Sequence, residues 1–306
     1  MFSKHQICIP NSSTVVVFFL LIPFIYCFVK IPPTSSTSSI STLESRLSLF
    51  NLDHVKNDLF CTILSFGGAY LWLDIWVRLS NRGFDPKLSR KIIHSGSAPL
   101  FMLLWPLYSN DPSANYIASI VPLLQFLRLV SAGKLKMKEK IDDPNNNLPR
   151  GKALGEKTDG IVKAISRSGN REEALQGPLI YTTVLLLCTL LFFKNSPVGA
   201  IAIMQMAVGD GLADIVGRKY GQIKWPFSTS KSYIGTLAFV LSAFIASCGV
   251  LIFYNHTGSI NVDIIHAWPK VLLISLICGT VELFEVLGDD NWTVPATGVV
   301  ATWLIL

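Results

Sequence analysis

Two carboxylates stand four residues apart in Gly209-Asp210-Gly211-Leu212-Ala213-Asp214-Ile215-Val216-Gly217-Arg218-Lys219-Tyr220-Gly221, at the end of a strongly apolar stretch. On a helix this spacing puts both side chains on one face, where a divalent cation could bridge them, and Arg218 continues that face one turn later. An ionised Asp at membrane depth costs roughly 2.5 to 3.5 kcal/mol on insertion scales, so such a residue marks a polar interior rather than a lipid-facing surface. Metal-bound phosphate is the chemistry these residue types suggest. Mg²⁺ favours one or two carboxylates plus substrate phosphates, which fits Asp210 and Asp214. Arg218 and Lys231 would neutralise phosphoryl oxygens, and the glycines at 209, 211, 217 and 221 would let backbone approach a ligand closely.

Related groups recur along the chain. Arg90-Lys91-Ile92-Ile93-His94 opens an apolar run, with Arg90 and His94 on one helix face and Lys91 also serving as a basic anchor. An imidazole there could bind phosphate, relay a proton, or be a hydrogen-bonded residue of a bundle. Lys231-Ser232 directly precedes a long apolar segment, where Ser232 is also suited to capping a helix. Glu282 and Glu285 lie in a later apolar run followed by Gly288-Asp289-Asp290-Asn291. These acids read either as a second set of cation ligands and acceptors for a substrate hydroxyl, or, for the Gly-Asp-Asp-Asn group, as a turn. Soluble nucleotide motifs are not supported: Gly151-Lys152-Ala153-Leu154-Gly155-Glu156-Lys157-Thr158 is one residue short of a P-loop, and no Gly-x-Gly-x-x-Gly occurs.

The elements that must position these groups are membrane helices. Of 306 residues, 50% are hydrophobic and 15% charged, with a mean hydropathy of +0.46, a balance foreign to a soluble domain of this size. Apolar runs suited to a hydrocarbon core of about 30 Å lie near 14–29, 59–79, 94–108, 115–133, 179–193, 197–216, 233–254, 268–287 and 295–306. The fold class expected is therefore all-α, a polytopic transmembrane helical bundle of seven to nine spans. Basic residues alternate with the spans: Arg82, Lys87, Arg90 and Lys91 in one connector, ten Lys/Arg in 134–178, and Arg218, Lys219, Lys224 and Lys231 in 217–232. Connectors 109–114, 194–196 and 255–267 together hold only Lys194. This is the positive-inside pattern, and it sends every candidate group to one basic face.

The net charge of +6 is accounted for by topology and by attraction to anionic lipid, and no basic run interleaved with aromatics points to nucleic acid. Six scattered cysteines imply neither a disulfide framework nor a zinc site. Residues 1–58 read as a separate N-terminal region, an apolar segment followed by a Ser/Thr-rich linker from about 30 to 58, serving as signal anchor or organelle targeting peptide. Residues 59–306 form the membrane-embedded domain, with a Pro/Asn-rich insertion at 139–160.

Six ordered segments resemble the phytol kinase and farnesol kinase group within the wider dolichol kinase and phosphatidate cytidylyltransferase-like membrane families. They are Ser89-Arg90-Lys91-Ile92-Ile93-His94; Met102-Leu103-Leu104-Trp105-Pro106-Leu107-Tyr108-Ser109; Ser166-Arg167-Ser168-Gly169-Asn170 with Gly177-Pro178-Leu179; the run from Gly209 to Arg218; Ser230-Lys231-Ser232 with Gly235; and Asp289-Asp290-Asn291. The 162–170 and 291–295 segments lean toward the farnesol kinase pattern.

The resemblance implies phosphorylation of an isoprenoid alcohol such as farnesol, geranylgeraniol or phytol, with CTP or another nucleoside triphosphate as donor, in a multi-pass protein of the plastid envelope or the endoplasmic reticulum. Under it, Asp210, Asp214 and Lys231 form the expected catalytic group, and Asp210, Asp214, Asp289 and Asp290 the Mg²⁺ ligands. Arg90, Lys91, His94, Gly209, Gly211, Gly217, Arg218 and Ser232 would hold phosphate. Transfer of a cytidylyl or phosphatidyl group is the rival enzymatic reading, although Asp210-Gly211 lacks the CDP-alcohol phosphotransferase continuation. A small cation transporter is the non-enzymatic rival. Oligomeric state is not legible.

Overall fold

The computed structural model describes residues 52–142, 171–284 and 289–306. The apolar segment and most of the linker before residue 52, the 151–158 and 166–170 motifs, Glu285 and Gly288 lie outside the described residues. Among those described, nine α-helices make up the fold: α1 (Leu52–Asn81), α2 (Pro86–Leu103), α3 (Ala114–Asp142), α4 (Arg171–Leu191), α5 (Pro197–Met204), α6 (Asp210–Tyr220), α7 (Tyr233–His256), α8 (Ile264–Leu283) and α9 (Asp290–Ile305). A π-helical turn, Gln205–Gly209, joins α5 to α6. Extended pairing among the described residues is limited to one bridge, Lys224 to Ser232.

The chain is an all-α membrane protein. Among the described residues, five stretches are long and apolar enough to cross a bilayer: Leu52–Asn81, Ala114–Ser131, Pro197–Tyr220, Tyr233–His256 and Ile264–Leu283. This corrects the expected seven to nine. Gly177–Leu191 is apolar but short, α2 carries Lys87, Arg90, Lys91 and His94 among its 18 residues, α9 has only 16 residues, and run 14–29 is not described. A second correction concerns residues 52–58, expected to be linker. They are the first turns of α1, and Asp58 is fully buried, accepting hydrogen bonds from Ser109 N at 2.6 Å and Ser109 Oγ at 2.7 Å.

Helix starts follow capping chemistry. Asp85 accepts from Lys87 N at 2.9 Å with Pro86 next in line, Ser196 caps α5 ahead of Pro197, Ser232 caps α7 through Gly235 N, and Asp289 caps α9 through Asn291 N. The α5–π–α6 stretch is the central element, with 72% of its most apolar window buried against 17% for α1. Around it pack α7, α8, α9 and α2, while α3 lies along α4 and α1 leans on α2 and α3. An aromatic plug closes the side opposite the basic connectors: Trp105 is fully buried, its ring 5.1 Å from Phe193 and 5.8 Å from Phe101, and Tyr254 donates to Met102 O at 2.9 Å.

Candidate active site

Local sequence sets the central carboxylate. A π turn inserts an extra residue into the helical ladder, and such turns recur at functional sites. Here it ends at Gly209, so that Asp210 begins α6 facing α2. Close approach of the two helices needs glycine at 211, where a Cβ would lie 1.7 Å from Ser95 Oγ and 2.9 Å from Ser95 Cβ. Across that contact Lys91 Nζ donates to Asp210 Oδ2 at 3.1 Å and stands 3.7 Å from Asp214 Oδ2. His94 Nε2 lies 3.4 Å from Asp210 Oδ2, within ion-pair range though not aligned as a hydrogen bond.

Tyr181 fixes where His94 sits. Its ring centroid is 4.3 Å from the imidazole, and its hydroxyl donates to His94 O at 2.8 Å while accepting from Ala98 N at 3.1 Å. Those two backbone groups would pair with each other in an uninterrupted helix. A side chain inserted into the ladder one residue before Pro99 opens α2 at this point.

The second half of the site comes from the α6–α7 connector and the ends of α8 and α9. Lys231 Nζ bonds Glu282 Oε1 and, at 2.8 Å, Asp290 Oδ2. One oxygen each from Asp210, Glu282 and Asp290 falls within 4.8 Å of the others, and these acids range from buried to half-buried. Burial works to lower the Lys231 ammonium's pKa, but Asp290 and Glu282 outweigh it and hold that pKa above the ordinary lysine value. A cation beside this group of carboxylates, mostly withdrawn from solvent, is an arrangement a divalent ion could share.

Both halves open into one cavity of about 670 Å³. Arg90, Lys91, His94, Asp210, Asp214, Gly217, Arg218, Lys231, Ser232, Asp289 and Asp290 all line it. Their allocation differs from the expected one. Asp214 accepts from Arg218 Nε at 2.8 Å and sits beside Lys91, apart from the Asp210–Glu282–Asp290 group. Asp289 is occupied as the α9 cap, with its Oδ1 2.9 Å from Asn291 N and 2.7 Å from Asn291 Nδ2. Gly209 and Gly211 do not border the cavity; they admit Phe239 and Ala243 of α7 and Ser95 of α2 against the helix. Gly217 and Gly221 face Ser232 Oγ, so they too serve helix contact. Glu282, noted in sequence only as an acid within a span, enters the central group. Gln125, Arg128, Tyr181 and Lys224 also line the cavity and carry no local motif that would single them out.

Below the charged groups the wall is apolar, with Phe66, Tyr70 and Leu73 of α1, Phe101 of α2, Val121 and Pro122 of α3, and Leu185 of α4. A pocket of this size suits a small-molecule ligand, and its mixed lining suits one with an anionic end and a greasy end. Fold and cavity thus define a helical membrane protein built around an amphipathic ligand site. The chain is 36% identical over 248 residues to "Probable phytol kinase, chloroplastic" of Triticum aestivum, covering 80% of this chain and 76% of that protein. It is 37% identical over 251 residues to "Probable phytol kinase 1, chloroplastic" of Oryza sativa subsp. japonica, covering 81% and 74%. Against "Phytol kinase 1, chloroplastic" of Arabidopsis thaliana it is 31% identical over 306 residues, covering 99% and 91%. No family model matches the chain, and no solved structure does. The chain belongs to the phytol kinase family. It is an enzyme, a phosphotransferase with an isoprenoid alcohol as acceptor. The lean toward the farnesol kinase pattern has no support in these relatives.

Proposed function

We propose that the enzyme transfers the γ-phosphoryl group of CTP to phytol or a closely related isoprenoid alcohol, giving the prenyl monophosphate, and that it resides in the plastid envelope. One observation carries this reading: a single cavity joins a cluster of cations and carboxylates to an apolar wall. A nucleoside triphosphate and a prenyl alcohol are the pair of substrates that would need both.

In this reading Lys91, Arg90 and Arg218 face the phosphates, and Lys231 meets the transferred group where charge develops. The alcohol oxygen bonds to the γ-phosphorus as the bond to the bridging oxygen breaks, and the hydroxyl proton passes to a carboxylate of the central group. Most of the acceleration comes from positioning and charge rather than from covalent chemistry on the protein. Asp210, Glu282 and Asp290 fit a divalent cation by the closeness of their oxygens; Mg²⁺ held there would neutralise phosphate charge. Asp214 braces Lys91 and Arg218 from the side. His94 holds Asp210 in place.

Membranes containing the enzyme, given CTP, ATP, UTP or GTP labelled at the γ-position together with phytol, geranylgeraniol or farnesol, test the assignment directly. Label should enter a prenyl monophosphate, most rapidly from CTP and into phytol or geranylgeraniol. Label entering lipid only from the α-position would instead indicate cytidylyl transfer and overturn it.

A further inference from the structure

The cavity continues well past the groups that would hold phosphate. Along α2 it runs from Lys91 to Phe101, a rise of about 15 Å at 1.5 Å per residue, or roughly half of a hydrocarbon core of about 30 Å. Its far end is shut by Phe101 lying on Trp105. One long side is α1, whose Phe66, Ala69, Tyr70 and Leu73 border the space at the i, i+3, i+4, i+7 spacing of a single helix face.

Helix α1 is held at two levels and stands off between them. At one level Thr62 and Ser65 lie 3.3 and 3.2 Å from the Tyr108 hydroxyl. At the other, Trp72 packs so closely on α2 that a Cβ on Gly96 would lie 2.4 Å from its ring, and Trp76 meets Phe84 at 5.7 Å. Residues 66–71 between these clamps are all exposed. Phe66 and Tyr70 are 43% and 54% exposed even though they border the cavity. A strut pinned above and below, facing an apolar wall across a gap, makes a slot whose shape suits a flexible hydrocarbon chain.

Resting on the alcohol kinase reading, we propose that this slot seats the isoprenoid tail of the acceptor, with the hydroxyl at the Lys91–Asp210 end, and that the α1 face at Phe66, Ala69 and Tyr70 sets how long a tail is accepted. Ala69 is the small residue of that face. A larger side chain there would obstruct tails that pass its level and spare those that stop short.

The test compares geraniol with geranylgeraniol in the intact enzyme and in Ala69→Phe, with Ile63→Phe as control, since Ile63 is 72% exposed and off the cavity. We expect Ala69→Phe to lower kcat/KM for the long alcohol relative to the short one by at least about tenfold, the size of effect that misfit in a hydrophobic pocket gives, with Ile63→Phe leaving the ratio unchanged. An equal loss for both alcohols, or the same shift in the control, would overturn the assignment. A long prenyl alcohol carrying a terminal diazirine, photolysed on the wild-type enzyme, reads the seat without any substitution. Adducts should fall on residues 66–73 and be displaced by unlabelled geranylgeraniol; adducts elsewhere, or insensitive to competitor, contradict it. A wild-type enzyme that phosphorylates neither of these alcohols nor phytol would sink the kinase reading itself, while the adduct position would still decide where the tail lies.

Discussion

At the scale of single residues, Lys231 has the most informative surroundings. An ammonium between Glu282 and Asp290 is favoured in its charged form, so its raised pKa contributes stability that is fully present below the ordinary lysine value of about 10.4. That contribution fades only as pH climbs through the raised value. If Lys231 meets phosphate, turnover should show no alkaline limb from this residue up to about pH 10. A pH profile of kcat/KM with saturating cation measures this, and a limb near pH 8 to 9 that Lys231→Arg moves upward contradicts it. Asp214 illustrates the limit of reading residues from spacing. The same four-residue interval that puts it beneath Asp210 also puts Arg218 beneath it, and the nearer cation takes its carboxylate. Glu282 reaches the central group from a helix distant in sequence, which no local interval encodes.

At the scale of elements, the contact between α2 and α6 decides whether the halves of the site meet. Gly211→Ala would drive a methyl into Ser95 and push the helices apart, lengthening the Lys91–Asp210 pair. Activity should fall at least about tenfold, and Ser95→Gly in the same chain should restore most of it. Coupling between touching residues commonly reaches 0.5–3 kcal/mol, so a double-mutant cycle on turnover would detect it; simple additivity would show that the glycine is not needed for approach. Much of this level was legible beforehand. Apolar runs and the capping serine Ser232 marked helix positions, and alternating loop charge gathered Arg90, Lys231 and Asp290 on one face. Three features were not. The glycines read as a phosphate cradle because ligand approach and helix approach demand the same missing Cβ. The π turn leaves no pattern in Gln205-Met206-Ala207-Val208-Gly209, being decided by packing and by Gln205 Nε2 bonding Ser247 and Ser275 at 3.2 and 2.9 Å. The cavity face of α1 is as apolar as its lipid face, so hydropathy cannot separate them.

At the scale of the whole molecule, polar and apolar substrates must meet where water gives way to lipid, and the bundle is arranged around that requirement. Basic connectors gather the charged groups of the site at one end, the Trp105 plug closes the other, and the loosely packed α1 borders the space between. Asp210 stands at the junction, tied to α2 through Lys91 and 4.8 Å or less from the carboxylates of α8 and α9. The central claim is that this carboxylate takes part in phosphoryl transfer and does not merely hold helices together. The most direct test reconstitutes wild-type and Asp210→Asn enzyme in liposomes and follows γ-phosphoryl transfer from CTP to phytol, with the melting temperature of each protein measured in the same preparation. We expect Asp210→Asn to lose activity by a factor of about a hundred to a thousand, the scale on which loss of a group stabilising transition-state charge is felt, with a melting temperature close to wild type. Turnover within about tenfold of wild type from an equally stable protein would contradict the account.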